Sequence, residues 1–155
     1  MKNKLLAMGM TGVLCLGFPV KAYGAEIEKG KNTIALSESA EPLAAGLITY
    51  YSLSCSGSLK AIYINSRTSA SEKMEDIGFK DIVVQRSSDK VNWTNEVSVG
   101  DKLKKSASSY SLANHSVSVK GGYYYRVKCT HYAKESGWFA DTQSIENTSS
   151  YVWIA

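Results

Sequence analysis

From Leu47 to the C-terminus the chain reads as a succession of short strands, and this pattern constrains the fold more than any other feature. Tyr, Val, Ile, Thr and Ser dominate, Pro is absent after Pro42, and turn-forming clusters recur about every ten residues. β-Branched and aromatic residues suit a pleated, half-buried surface, and this turn spacing is the signal of a sandwich or barrel of short strands. The segments this predicts are Leu47–Leu53, Leu59–Arg67, Phe79–Arg86, Trp93–Val99, Ser108–Leu112, Val117–Val119, Tyr123–Tyr132 and Tyr151–Ile154. Ser87 to Asn92 has hairpin chemistry, and Gly121-Gly122 precedes the strongest strand where unusual backbone angles cost little. Ser71 to Ile77 is predicted as a loop or a single helical turn capped by Ser71.

The strand Tyr123–Tyr132 shows the clearest alternation. Tyr123, Tyr125, Val127 and Cys129 form one apolar set, and Tyr124, Arg126, Lys128 and Thr130 form an amphipathic, charged one. A period of two places the first set in the core and the second toward water. His131 continues the inward parity, which marks it as a structural histidine. Cys55 shares a parity with Leu53 and Leu59 on an earlier segment. The expected fold is therefore all-β, an antiparallel β-sandwich of about 7–8 strands.

The N-terminal part has a different texture. Lys2 and Lys4 precede a fourteen-residue apolar run from Leu5 to Phe18, and Pro19 and small residues follow. That is the plan of a secretory signal peptide, too short to cross a bilayer, which takes about 20 residues. Residues 1–22 are expected to be removed, with cleavage between 22 and 25. Residues 23–46 then form a polar N-terminal arm, and 47–155 the β domain. Loss of Lys2, Lys4 and Lys21, with no acidic residue, takes the net charge from +4 to +1. The basic balance is thus no argument for nucleic acid, and Lys102-Leu103-Lys104-Lys105 is short and isolated. The expected product is extracellular, with no membrane span after signal removal.

Of three cysteines, Cys15 lies in the signal segment, leaving Cys55 and Cys129. In an oxidising compartment such a pair is expected to form a disulfide, closing a loop of about 75 residues worth about 4 kcal/mol. Two buried free thiols are the alternative.

Gly122-Tyr123-Tyr124-Tyr125-Arg126-Val127-Lys128 is similar to the penultimate strand of fibronectin type III and immunoglobulin-like domains. Ile82 to Asp89 followed by Asn92-Trp93 resembles the central hairpin of bacterial domains of that kind. The resemblance implies a tyrosine-corner role for Tyr123 or Tyr125. Immunoglobulin domains also carry a core Trp about a dozen residues after the first Cys, and Leu59–Thr68 has none. A closer resemblance, over about Leu47 to Ile154 and carried by Asp76-Ile77-Gly78, Gln85-Arg86, the Gly-Tyr-Tyr-Tyr-Arg-Val run and His131, is to small secreted proteins of Gram-positive, largely gut-dwelling bacteria. That family has no assigned function. The resemblance implies secretion from such a bacterium and brings no catalytic residues.

No catalytic, cofactor or metal motif is present. His115 and His131 stand in no recognisable nucleophile or ligand spacing, and Glu72, Glu75 and Asp76 lack an EF-hand loop. The sequons at Asn92, Asn114 and Asn147 carry no weight in the bacterial source that the resemblance implies. Outward parity instead gives Tyr124 and Tyr132 on one strand, with Trp138 and Phe139 after its end. Tyr124, Tyr132 and Trp138 are the expected ligand contacts of a non-catalytic module for an extracellular polysaccharide or protein. The alternatives are a structural or self-associating envelope protein and a factor acting on competing bacteria or a host. A monomer or weak self-association is expected.

Overall fold

The computed structural model describes residues 41–42 and 46–155. The expected signal peptide, Cys15, Leu43–Ala45 and all of the arm before Glu41 lie outside them. The described residues form one antiparallel sheet with no helix: β1 (Glu41–Pro42), β2 (Ile48–Ser58), β3 (Ala61–Ser87), β4 (Thr94–Ser118), β5 (Tyr123–Lys134), β6 (Thr142–Thr148) and β7 (Val152–Ile154).

Two strands are much longer than the sequence suggests. β3 has 27 residues and β4 has 25, and they pair along their whole length. On its other side β3 pairs with β2 from Ala61 to Ala70, then with β5 from Asp76 to Ser87. The expected loop or helical turn at Ser71–Ile77 is therefore the place where β3 exchanges one neighbour for another. The ribbon stays continuous because its irregularities are bulges, not reversals. Register shifts lie at Ile64/Ser66, Ser69/Met74 and Phe79/Ile82, and Asn114, Ser106, Asp81 and Gly100 nearby have positive φ. Each bulge adds bend and twist. The sheet curls, and the inward faces of its two halves meet.

One core results. Leu53, Cys55, Ile62 and Ile64 come from the first half; Phe79, Ile82, Val84, Tyr125, Val127 and Cys129 come from the second. Val152 and Ile154 of β7 close it. A smaller cluster of Ile48, Met74, Ile77 and Ala133 fills the end where β3 bends. Gly78 belongs to that bend: its φ is +152°, and an added Cβ would strike the Lys102 carbonyl and the Tyr110 ring. No bulkier residue fits there.

The alternation on β5 appears as expected from Tyr125 onward, with Tyr125, Val127, Cys129, His131 and Ala133 buried in turn, while Tyr123, expected in the same set, is only partly buried against the core. The Tyr125 hydroxyl donates to the Lys120 carbonyl at 2.8 Å, tying the strand to the turn before it. β6 escapes a pattern-based reading, because Thr142–Thr148 is polar apart from Ile145. It forms because β5 offers it a free edge from Lys128 to Lys134.

Candidate functional site

The Ser88–Asn92 turn between β3 and β4 is built around one carboxylate. Asp89 accepts hydrogen bonds from the Asn92 and Val91 amides (2.7 and 2.9 Å), the Ser87 hydroxyl (2.8 Å) and the Asn92 side-chain amide (2.7 Å). These donors, the Asn92 amide foremost, hold its carboxyl well below the usual carboxylate range. Lys90 takes a left-handed φ of 64° at the tip. The Trp93 indole N–H donates to the Lys90 carbonyl at 3.1 Å, so the turn fixes the ring that follows it.

This turn stands beside the outer face of β5 and β7. Tyr124 and Arg126 flank the buried Tyr125, and Tyr151 and Trp153 flank the buried Val152. β5 and β7 pair with Tyr124 opposite Trp153, and the two rings stand 4.7 Å apart. Tyr124 meets Tyr151 edge-on at 5.7 Å, and Tyr151 meets Trp93 at 6.2 Å. The four rings make a continuous aromatic platform, with Trp153 51% and Tyr151 43% exposed.

Two cations are interleaved with it. The Lys90 ammonium lies 4.8 Å from the Tyr124 centroid and 5.4 Å from that of Tyr151. The Arg126 guanidinium lies 4.3 Å from the Trp93 centroid. Arg126 Nε donates to Gln85 Oε1 at 2.9 Å, and Gln85 donates in turn to Asn95 Oδ1 at 2.9 Å. The described ion pairs join Arg86 to Glu96, Lys105 to Asp76, Lys128 to Glu146 and Lys134 to Glu75. Neither Lys90 nor Arg126 has a carboxylate partner among the described residues.

The three residues expected from sequence do not share a patch. Tyr124 sits in the platform. Tyr132 lies eight residues farther along β5, roughly 27 Å away at strand rise, and its ring carries the Lys80 ammonium at 3.6 Å. Trp138 lies beyond the far end of β5, in the connection to β6, and is 94% exposed beside the equally bare Phe139. The sequence pattern does not single out Trp93, Tyr151, Trp153, Lys90 and Arg126 as contacts. The alternation of Tyr151-Val152-Trp153-Ile154 does signal two outward rings, but nothing local places them against β5.

The expected Cys55–Cys129 disulfide is not formed; both residues are free, buried thiols. Each has its own surroundings. Cys55 Sγ donates to the Ser150 carbonyl at 3.3 Å and lies 3.3 Å from Ser149 Oγ. Cys129 Sγ faces His131 Nε2 at 3.9 Å. His131 Nδ1 is 2.8 Å from Thr68 Oγ1, whose single hydrogen goes to the Gly78 carbonyl at 3.1 Å. The hydrogen between His131 and Thr68 must therefore come from Nδ1, which leaves Nε2 as an acceptor toward the thiol.

Burial pushes the Cys129 thiol up to about 12 and His131 down to about 4. A nucleophilic Cys–His pair needs the reverse on the thiol, together with access for substrate. Here His131 is 0% and Cys129 1% exposed. This pair belongs to the core. Among the described residues no three His, Cys, Asp or Glu side chains group as a metal site would require.

Comparison of the chain with protein-family models, with curated proteins and with solved structures finds no match.

Proposed function

We propose that the chain is a secreted, non-catalytic binding module that holds an extracellular polysaccharide or protein on the platform formed by Trp93, Tyr124, Tyr151 and Trp153. In this reading the curled sheet is a β-sandwich of the immunoglobulin or fibronectin type III kind. The Tyr125 hydroxyl, bonded to a carbonyl five residues upstream, supports it as a tyrosine corner. The single observation that carries the functional reading is half-exposed Trp153 and Tyr151 at the β5–β7 pair, in contact with the rings of Tyr124 and Trp93. Exposed aromatic faces of this kind stack on sugar rings or anchor protein partners.

The test is retention of the purified chain on insoluble polysaccharides, peptidoglycan and whole bacterial cells. Retention on one of them, lost in Trp153→Ala with folding intact, is the expected result. Equal retention of Trp153→Ala, or no retention on any of these, refutes the polysaccharide form of the reading.

A second reading, self-association through strand addition, draws on β4, which pairs only with β3 and leaves its other edge open among the described residues. Lysines and left-handed residues along that edge weigh against it. A concentration-dependent rise in mass by sedimentation, without ligand, would favour it.

A further inference from the structure

We propose that the ligand of the aromatic platform is an acidic polysaccharide whose sugar rings carry carboxylates, a polyuronate. The inference rests on the platform being a binding surface and adds the charge of what it binds.

A lysine ammonium offers three N–H donors, and an arginine guanidinium offers five. Lys90 Nζ has only the faces of Tyr124 and Tyr151 as neighbours and no protein acceptor among the described residues. Arg126 uses Nε on Gln85, and its two Nη groups meet no protein acceptor among the described residues. Its plane is fixed from two sides, by Gln85 and by the Trp93 ring. Arg126 is thus oriented while its forked donors stay unspent, and that fork matches a carboxylate.

The acid beside Lys90 in the chain does not compete. Asp89 is adjacent to Lys90 in sequence, but both its oxygens are spent inside the turn on Ser87, Val91 and Asn92. The turn is ordered by its own carboxylate, and the lysine at its tip has no carboxylate partner among the described residues.

Position supplies the rest. Arg126 stacks on Trp93, Trp93 meets Tyr151, and Lys90 lies between Tyr151 and Tyr124, which meets Trp153. Both cations thus stand against the ring faces of one connected aromatic group. A neutral glycan would use the rings and leave both cations idle. A purely anionic partner without apolar faces would use the cations and leave Trp153 bare. A pyranose with a carboxylate on its rim uses both: its C–H face lies on Trp153 or Tyr151, and its carboxylate reaches Lys90 or Arg126.

The experiment immobilises polygalacturonate and, in parallel, its fully methyl-esterified form, which keeps the sugar backbone without the charge. The chain is compared with Trp153→Ala, Lys90→Gln and Lys90→Gln/Arg126→Gln, each checked for folding by circular dichroism. Lys90 is exposed at the tip of the turn, so its single variant preserves the test if the double variant unfolds. The expected result is at least tenfold tighter binding to the acid than to the ester. The double variant should lose at least tenfold on the acid alone, and Trp153→Ala should lose both. Equal binding to acid and ester overturns the charge assignment and leaves the module reading standing. Acid binding that Trp153→Ala does not weaken places the anion elsewhere on the surface and overturns the proposal. No binding to either polymer overturns it too, while retention on another polymer in the first assay would keep the module reading.

Discussion

His131 provides a direct test of the core. It is fully buried, donates through Nδ1 to Thr68, and packs against Tyr51 and Phe79 at ring distances of 5.1 and 5.5 Å. Among the described residues no carboxylate faces it; the titratable groups at hand are the Cys129 thiol and the Tyr51 phenol. Burial therefore acts alone and lowers its pKa from 6.5 to about 4. An unfolded chain binds a proton at this residue below pH 6.5, whereas the folded chain resists it until about pH 4. The folded state thus holds fewer protons in that window, and its stability falls as the pH falls. The contribution is fully present above 6.5. By linkage about 2 kcal/mol is lost by pH 5 and about 3 kcal/mol by pH 4, a large share of a typical domain's stability. Urea unfolding of the chain and of His131→Gln at half-unit steps from pH 7.5 to 4 reads this directly. The variant starts lower, because Thr68 and Cys129 lose a shaped partner, but it lacks the extra slope. The two curves should converge by about 3 kcal/mol on acidification. Parallel curves would refute the account of His131 as a neutral, desolvated group.

The remaining predictions concern the same framework. Both thiols should resist alkylation in the native chain and react only in denaturant, with intact mass unchanged by reductant; a mass increase of two hydrogens on reduction would show a disulfide instead. Tyr125→Phe should lower stability by about 1 kcal/mol, the net worth of one hydrogen bond, in urea titration; no change would mean that the bond to Lys120 contributes nothing. Gly78→Ala should cost at least about 2 kcal/mol, since it combines a left-handed backbone with a backbone clash, and a neutral result in thermal melts would contradict the tight bend.

The parts of this molecule legible in the sequence are those set by period-two alternation. β5 shows its expected buried set from Tyr123 to Cys129, extended to His131, and only Tyr123 at its start falls short of full burial. The Ser87–Asn92 reversal is also legible, because the Asp and Asn turn chemistry is local. The continuity of β3 and β4 is not. Ser71 to Lys73, Gly100-Asp101 and Ser106 carry residues that serve turns and bulges alike, and only the partner strand decides which forms. β6 is hidden by its polarity. The candidate site was half legible: outward parity finds Tyr124, while Trp153 and Tyr151 reach it only through the pairing of β7 with β5. The cysteines illustrate the same limit, since counting them gives a plausible bridge and their packing gives two separate thiols.

The long β3–β4 ribbon has a consequence for how the molecule comes apart. Each of these strands runs through both halves of the curled sheet, and β3 passes from β2 to β5 without a break. Neither half owns a complete set of strands, so neither can melt while the other survives. Unfolding should be all-or-none, and the amides of mid-β3 should exchange with solvent only through global opening. Most partners are far apart in sequence, which predicts slow folding. The platform, pinned to this ribbon by the Asp89 turn, keeps its shape for as long as the whole chain is folded.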